Sequence, residues 1–238
     1  MTKKLYLEDM YKKEFEAVVE NVSEEKYITL NQTCFYPKSG GVDNDIGSFR
    51  RLSDNTEFKV VFARKIGEDI SHEIEESGLQ VGDKIKGFLD WNRRFELMRY
   101  HTAAHVLSGL FFNEGNVKVT GNNLVVGKGR VDFNFPNFER EIVEKLVERS
   151  NEIISQNLPV ETYYISRDEL EKDPSLTKLA MGLPKEIKQV RIVDIKDFDR
   201  QPDGGCHVSH LGEIGKITIT KIQNKGKNNR RLYFELKN

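Results

Sequence analysis

His101 and His105 stand four residues apart in the run Arg94-Phe-Glu-Leu-Met-Arg-Tyr-His-Thr-Ala-Ala-His-Val-Leu107. The run has helical periodicity, and on an α-helix residues i and i+4 project from one face with β-carbons about 5–6 Å apart, close enough for two imidazoles to reach one metal ion. Two imidazoles do not hold zinc alone, so further ligands must come from elsewhere in the chain. Gln201-Pro-Asp-Gly-Gly-Cys-His-Val-Ser-His210 is the other segment dense in ligand types, with Asp203, Cys206, His207 and His210. It offers two registers at one spacing. Cys206 with His210 joins a thiolate to an imidazole, the softer set for zinc. Asp203 with His207 joins a carboxylate to an imidazole, and Gly204 and Gly205 between them supply a bend that can turn both toward one ion. Three protein ligands would leave a position for water, the arrangement of catalytic sites. His72, away from both clusters, is expected at the surface.

These residues need a scaffold. Up to about residue 90 the segments are short, β-rich and separated by turns, with strands expected at 14–21, 26–33, 58–64 and 83–89 and a turn-rich connection at Gly41-Val-Asp-Asn-Asp-Ile-Gly47. Strands at this spacing need closure to protect their edges, which points to a small antiparallel barrel. From 93 to about 112 the pattern is helical, with Leu97 and Phe112 on the histidine face and Phe95, Ala103, Val106 and Leu110 opposite, so the helix is expected to be buried on both sides. Residues 116–135, with Gly121, Gly127 and Gly129, read as a hairpin region ending in a strand. Pro136 and Asn137 offer a helix start, and 139–157 carry Ile142, Leu146, Ile153 and Ile154 on one stripe. Strands follow at 159–166 and 190–195 with a helix at 167–179 between them, and 214–222 with 231–236 close the chain as a hairpin. The expected class is α+β: a small β-barrel-like domain over residues 1–90, then a mixed α+β domain over 91–238.

Bulk composition excludes several functions. Lys and Arg number 37 against 38 Asp and Glu in 238 residues, so no global charge attracts a polyanion and any nucleic-acid site must be a local patch. One such patch is the stretch from 216 onward, where Lys216, Lys221, Lys225, Lys227, Arg230, Arg231 and Lys237 face Glu235 alone. Cys34 and Cys206 are too few and too distant for a disulfide scaffold and suit a reducing compartment. No signal-peptide core or membrane-length apolar run is present, and a cytoplasmic protein is expected. No Gly-x-x-x-x-Gly-Lys-[Ser/Thr] loop for a triphosphate occurs.

Three motifs, in order, resemble those of the alanyl-tRNA synthetase editing domain and its free-standing relatives, the AlaX alanyl-tRNA editing proteins. Phe35-Tyr-Pro-Lys-Ser-Gly-Gly-Val-Asp-Asn-Asp-Ile-Gly47 is similar to the family's FYPxGGGQxxDxG signature. The HxxxH helix resembles the first metal motif, and Gly204-Gly-Cys-His-Val-Ser-His-Leu-Gly-Glu-Ile-Gly215 resembles CGGTH followed by a GEIG-like turn. The family's metal cysteine falls on Asp203, its CGGTH threonine on Cys206 and its final histidine on His207. Polar family residues are replaced at Val42, Ala104 and Gly121. The resemblance implies an editing domain of medium-length AlaX architecture that hydrolyses the ester linking serine or glycine to the terminal ribose of tRNA(Ala). It also implies a zinc ion held by His101, His105 and His207 with Asp203 as the fourth ligand. His101, His105, His207, Thr102 and Cys206 are the implied catalytic residues, and Thr102, Thr120 and Cys206 the candidates to meet a serine hydroxyl. The acceptor end of mischarged tRNA is the implied partner, with Lys225, Lys227, Arg230 and Arg231 on its phosphates and Arg93, Arg94 and Arg99 as further contacts or internal ion pairs. Two rivals remain: a non-catalytic zinc-containing RNA-binding module, and a zinc hydrolase of small esters, which would not need the basic tail.

Overall fold

Short strands separated by turns leave unpaired backbone groups at every edge, and the first part of the chain removes those edges by closing on itself. The computed structural model describes residues 1–135, 140–180, 187–226 and 228–237. Two units are present, Met1–Leu97 and Met98–Asn238, and the division falls inside one helix.

In the first unit, β1 (Lys3–Lys4) pairs in parallel with β4 (Gln32–Thr33). The strands β2 (Glu14–Ser23), β3 (Tyr27–Leu30), β5 (Gly47–Arg51), β6 (Glu57–Ile66), β7 (Asp69–Ile74) and β8 (Lys84–Leu89) close an antiparallel barrel in the order β2-β3-β7-β6-β5-β8. Alternating residues such as Ile28, Leu30, Phe49, Val60, Ile70 and Ile85 fill its interior, with Phe35 among them. β5 and β7 lie where no strand was expected. His72, on β7, is not at the surface but fully buried against the Phe35 and Phe49 rings. Its Nδ1 lies 3.0 Å from the Ile28 carbonyl and its Nε2 2.9 Å from the Thr33 hydroxyl. A neutral ring donates to the first and accepts from the second, and burial pushes its pKa down to about 4.

The segment Phe35–Gly47 has an architectural task. Asp45, buried, accepts the Tyr36 amide at 2.6 Å and the Arg94 Nε at 3.0 Å. Arg94, 1% exposed, also donates to the carbonyls of Met10 and Cys34. Arg93 pairs with Asp43 at 2.6 Å and donates to the Asn44 carbonyl. Both arginines therefore hold the first turns of α1 (Trp91–Gly115) in internal ion pairs.

The second unit is a mixed α+β arrangement. Its strands β9 (Val119–Val125) and β10 (Lys128–Phe133) form a hairpin, followed by α2 (Arg140–Ser155), β11 (Val160–Ser166) and α3 (Arg167–Lys172). The expected helix start at Pro136 and Asn137 lies outside the described residues. β12 (Gln189–Ile195) and β13 (Asp199–Pro202) complete a sheet of order β11-β12-β13, and β14 (Lys216–Asn224) with β15 (Arg230–Lys237) a sheet of order β14-β15-β10-β9. The helix expected at 167–179 stops at Lys172, where Asp173 caps a short 3-10 turn over Pro174–Leu176. Buried Leu124, Val131, Phe133, Leu232 and Phe234 line the inner face of the four-stranded sheet. Phe133 stacks on Phe111 of α1 at 4.6 Å and Phe234 meets Tyr100 at 5.5 Å, so this face covers the helix. Asn151 of α2 hydrogen-bonds both backbone groups of Ile217, at 2.9 and 2.8 Å, and so fixes α2 to β14.

From Leu97 to Phe111 every residue of α1 but Arg99 is buried. The side facing β13 approaches closely enough to need a glycine: a Cβ at Gly109 would lie 2.8 Å from Cγ of Asp199. Asp199 is buried and paired with buried Lys178, and it accepts a hydrogen bond from Gln201. The Gln201 amide donates to the His105 carbonyl at 3.2 Å and its oxygen accepts from Ser108 at 3.0 Å. β13 is thereby clamped to the histidine-bearing stretch of α1.

Candidate metal centre

The clamp sets the distance between two pairs of ligands. α1 presents His101 and His105, and the loop leaving β13 presents Asp203 and His207. One ligand atom from each of the four lies within 4.8 Å of all the others. Nε2 of His101 and of His105 are 3.4 and 3.7 Å from Asp203 Oδ2, and Nε2 of His207 is 3.3 Å from Asp203 Oδ1. Zinc bonds of about 2.0–2.1 Å in a tetrahedron separate neighbouring donor atoms by about 3.3–3.4 Å, close to this spacing.

Hydrogen bonding outside the group orients the rings. Thr102 donates its hydroxyl hydrogen to the Met98 carbonyl at 3.0 Å, so toward His207 Nδ1, 3.2 Å away, its oxygen acts as acceptor. The proton of His207 is thus on Nδ1, and Nε2 turns a lone pair toward the Asp203 carboxylate. His101 repeats the arrangement: Nδ1 donates to the Cys206 carbonyl at 3.3 Å and Nε2 faces the Asp203 carboxylate at 3.4 Å. Three imidazole nitrogens converging on one carboxylate need positive charge among them, protons or a metal ion, and nitrogen and oxygen donors at this spacing fit a metal ion. Burial alone would raise the Asp203 carboxyl, but the histidines around it, His101 first, hold it well below the usual carboxylate range. Burial, reinforced by His101 and His105, keeps His207 neutral by pushing its pKa well below the ordinary imidazole value.

The loop is built to turn at this point. Asp203 Oδ1 accepts the Gly205 amide, and a Cβ at Gly205 would overlap the His101 ring. Arg191, a buried arginine inside the apolar run Val190-Arg-Ile-Val193 of β12, donates to the carbonyls of Asp203 at 3.1 Å and Gly205 at 2.9 Å. After the loop, the Glu213 carboxylate accepts from the Ser209 and His210 amides, both at 3.0 Å, and from the Ser209 hydroxyl at 2.7 Å. The Gly-Glu-Ile-Gly turn therefore fastens the loop's far end. Asp203, with a side chain 22% exposed, is the most open of the four ligands.

Of the two registers, the described residues bring together Asp203 with His207. Cys206 is buried but contributes no sulfur to the group, and His210 is exposed outside it with Nδ1 3.1 Å from the Ser209 hydroxyl. Thr120 is exposed on β9 and donates to Asn229 in the last hairpin. Among the basic residues, Lys225 is exposed and Lys227 lies outside the described residues. Arg230 is buried, its guanidinium bonded to Asn224, Gly226 and Asn229 so that it closes the hairpin turn. Arg231 makes a two-bond ion pair with Asp132, both bonds 2.7 Å. Arg99 donates to the Ile214 carbonyl at 2.8 Å. Sequence reasoning missed Lys178, Asp199, Gln201, Ser108 and Arg191; the signals were the glycine inside an apolar helix and the arginine inside an apolar strand. Among the described residues no helix is long and apolar enough to cross a membrane.

Residues 190–233 match the family model described as the threonyl and alanyl tRNA synthetase second additional domain, and residues 3–93 match that of class II (A) tRNA synthetases. A protein of Methanosarcina mazei named alanyl-tRNA editing protein AlaX-M is 48% identical, over 99% of this chain and 97% of its own length. A protein of the same name from Saccharolobus solfataricus is 38% identical over 100% of both chains. The alanine–tRNA ligase of Metallosphaera sedula is 35% identical over 93% of this chain, which matches 25% of that enzyme.

Proposed function

The chain belongs to the family of the AlaX-M alanyl-tRNA editing proteins, and from that membership we propose that it is a metal-dependent hydrolase in the cytoplasm that removes serine or glycine wrongly attached to tRNA(Ala). The observation that carries this reading is the buried group His101, His105, Asp203 and His207, with three imidazole nitrogens converging on one carboxylate. These four side chains would hold zinc. When bound, zinc would supply positive charge that polarises the ester carbonyl and, where water takes the place of Asp203, the most open of the four, would lower the pKa of that water toward about 7.

The chain's own residues do the rest. His101 and His207 are locked by the Cys206 carbonyl and the Thr102 hydroxyl and do not swing. Thr102 donates to Met98 and accepts from His207 and the Val208 amide, so its hydrogen-bonding capacity is filled and it acts by positioning His207 rather than by touching substrate. Substrate approaches from the partly open Asp203 side. Hydrolysis adds water across the ester and yields the free amino acid and the ribose hydroxyl, so no nucleotide is consumed. Rejection of correctly charged alanine needs a group that meets the serine hydroxyl. With Thr102 saturated and Thr120 on an exposed hairpin, Cys206 is the remaining candidate of the three.

The test is deacylation of Ser-tRNA(Ala), Gly-tRNA(Ala) and Ala-tRNA(Ala) by wild type, His101→Ala and chelator-treated protein. The proposal expects loss of serine or of glycine but not of alanine, abolished by His101→Ala and by chelation. No turnover of any of the three by metal-loaded protein would replace this reading with a non-catalytic RNA-binding module. Equal cleavage of a small seryl ester and of Ser-tRNA(Ala) would replace it with a small-ester hydrolase.

A further inference from the structure

The outer face of the sheet β14-β15-β10-β9 carries charges that the metal centre does not use. Along β15, Leu232 and Phe234 point into the core while Arg231, Tyr233 and Glu235 point out. Tyr233 is directly opposite Arg130 on β10 and Lys221 on β14, and Arg231 is opposite Asp132 and Gln223. Asn123 of β9 continues the row beside Arg130. The ammonium groups of Lys128 and Lys221 lie over the Tyr233 ring, 5.0 and 5.9 Å from its centroid. Both lysines are exposed, and neither has a carboxylate partner among the described residues.

This pairing differs from an ion pair in one respect. A carboxylate would fix a lysine and cancel its charge, whereas an aromatic ring fixes it and leaves the charge available. The one buried acid on this face, Asp132, is already taken by Arg231, and the exposed acid is Glu235. Lys128 and Lys221 therefore leave cationic groups exposed on a face bordered by the amide side chains of Asn123 and Gln223, with half-buried Arg130, 4.0 Å from Asp132, between them, on a chain whose overall charge is −1. No large exposed apolar residue interrupts it on β10, β14 or β15. Because the inner face of the same sheet packs on α1 through Phe133 and Phe234, whatever binds outside lies behind the sheet and away from the ligand group.

We propose that this face is a docking platform for the phosphates of the tRNA duplex, with Lys128 and Lys221, held over Tyr233, as its centre. The inference rests on the editing reading and adds to it a surface that binds the tRNA body rather than its aminoacyl end. Arg230 and Arg231, the basic residues most prominent in the sequence, are committed to the hairpin turn and to Asp132, and the platform's centre lies on the neighbouring strands instead.

Binding of zinc-loaded protein to a tRNA(Ala) transcript is measured by fluorescence anisotropy across a salt series, for wild type, the double variant Lys128→Glu/Lys221→Glu, Tyr233→Leu and Tyr233→Phe. Deacylation of Ser-tRNA(Ala) and of 3′-seryl-adenosine, which lacks the duplex, is followed in parallel. The double variant is expected to bind tRNA at least about tenfold more weakly, with the slope of log K against log salt reduced by about 2. Its KM for Ser-tRNA(Ala) should rise while cleavage of 3′-seryl-adenosine stays as in wild type. Tyr233→Leu should weaken binding several-fold, and Tyr233→Phe, which keeps the ring, should not. Unchanged affinity and slope in the double variant, with wild type still editing, would overturn the platform and leave the editing reading standing. Failure of wild type to bind or deacylate tRNA would overturn both.

Discussion

Replacing Gly109 by alanine sets two known effects against each other. In a helix interior alanine is favoured over glycine by about 1 kcal/mol, so helix propensity alone predicts a more stable protein. Against this, the new Cβ would lie 2.8 Å from Asp199 Cγ and 3.1 Å from its Cβ and Oδ1. Asp199 has little room to retreat, since it is tied to the Lys178 ammonium and to Gln201, all three buried. Overpacking a close contact costs about 1–3 kcal/mol, and separating a buried ion pair costs about 3–5 kcal/mol. Where the clash parts the ion pair, that loss less about 1 kcal/mol of helix propensity leaves Gly109→Ala destabilised by about 2–4 kcal/mol net. Because Gln201 also holds the His105 carbonyl and precedes Asp203 by two residues, zinc affinity should fall in the same variant. Urea denaturation gives the first quantity and competition with a chromophoric chelator the second. A variant as stable as wild type or more so, with unchanged zinc affinity, would refute the idea that this contact sets the spacing of the ligand pairs.

Three further outcomes are expected. His72 is neutral in the barrel with a pKa near 4 against about 6.5 in the unfolded chain, so the unfolded state binds the proton first as pH falls. Its stabilisation is complete above about pH 6.5 and lost toward pH 4, about 3 kcal/mol in all; urea titrations at pH 7 and 4.5 should show a loss that His72→Phe lacks, and equal losses would contradict this. Thr102→Val removes the acceptor that fixes His207 and should lower zinc affinity about 10–100-fold, with Asp203→Ala costing more, both read by chelator competition. Arg94→Met leaves Asp45 charged and buried and should cost about 3–5 kcal/mol in urea denaturation, whereas an Arg94 that served only RNA could be replaced without loss of stability.

The readable parts of the sequence were those whose information is local. α1, α2 and the last hairpin follow from periodicity, and the HxxxH pair from the i, i+4 geometry of one helix. β5 and β7 were not readable: β5 is five residues with Phe49 alone buried, and β7 buries Ile70, Ser71 and His72 in succession, which breaks the alternation a half-buried strand shows. β13 is four residues ending in a proline, and its strand character comes from pairing with β12. That Asp203 rather than Cys206 gathers with the three histidines was not readable, because the loop is held by Arg191, which donates to the Asp203 and Gly205 carbonyls, and by Gln201, which reaches the His105 carbonyl 96 residues away. Counting charge along 216–238 likewise does not reveal that Asp132, 99 residues earlier, pairs with Arg231.

Neither cysteine gives a ligand atom to the gathered group, whose fourth member is a carboxylate held far below its usual pKa. Thiolate centres must shed a proton to load their metal and lose it when an oxidant or alkylating agent takes the sulfur. A centre of three imidazoles and a carboxylate offers such reagents no sulfur–metal bond to break and needs no thiol proton removed. It would also lack the preference that sulfur confers for zinc, so which divalent ion such a site took up would be governed more by supply than by the donors themselves.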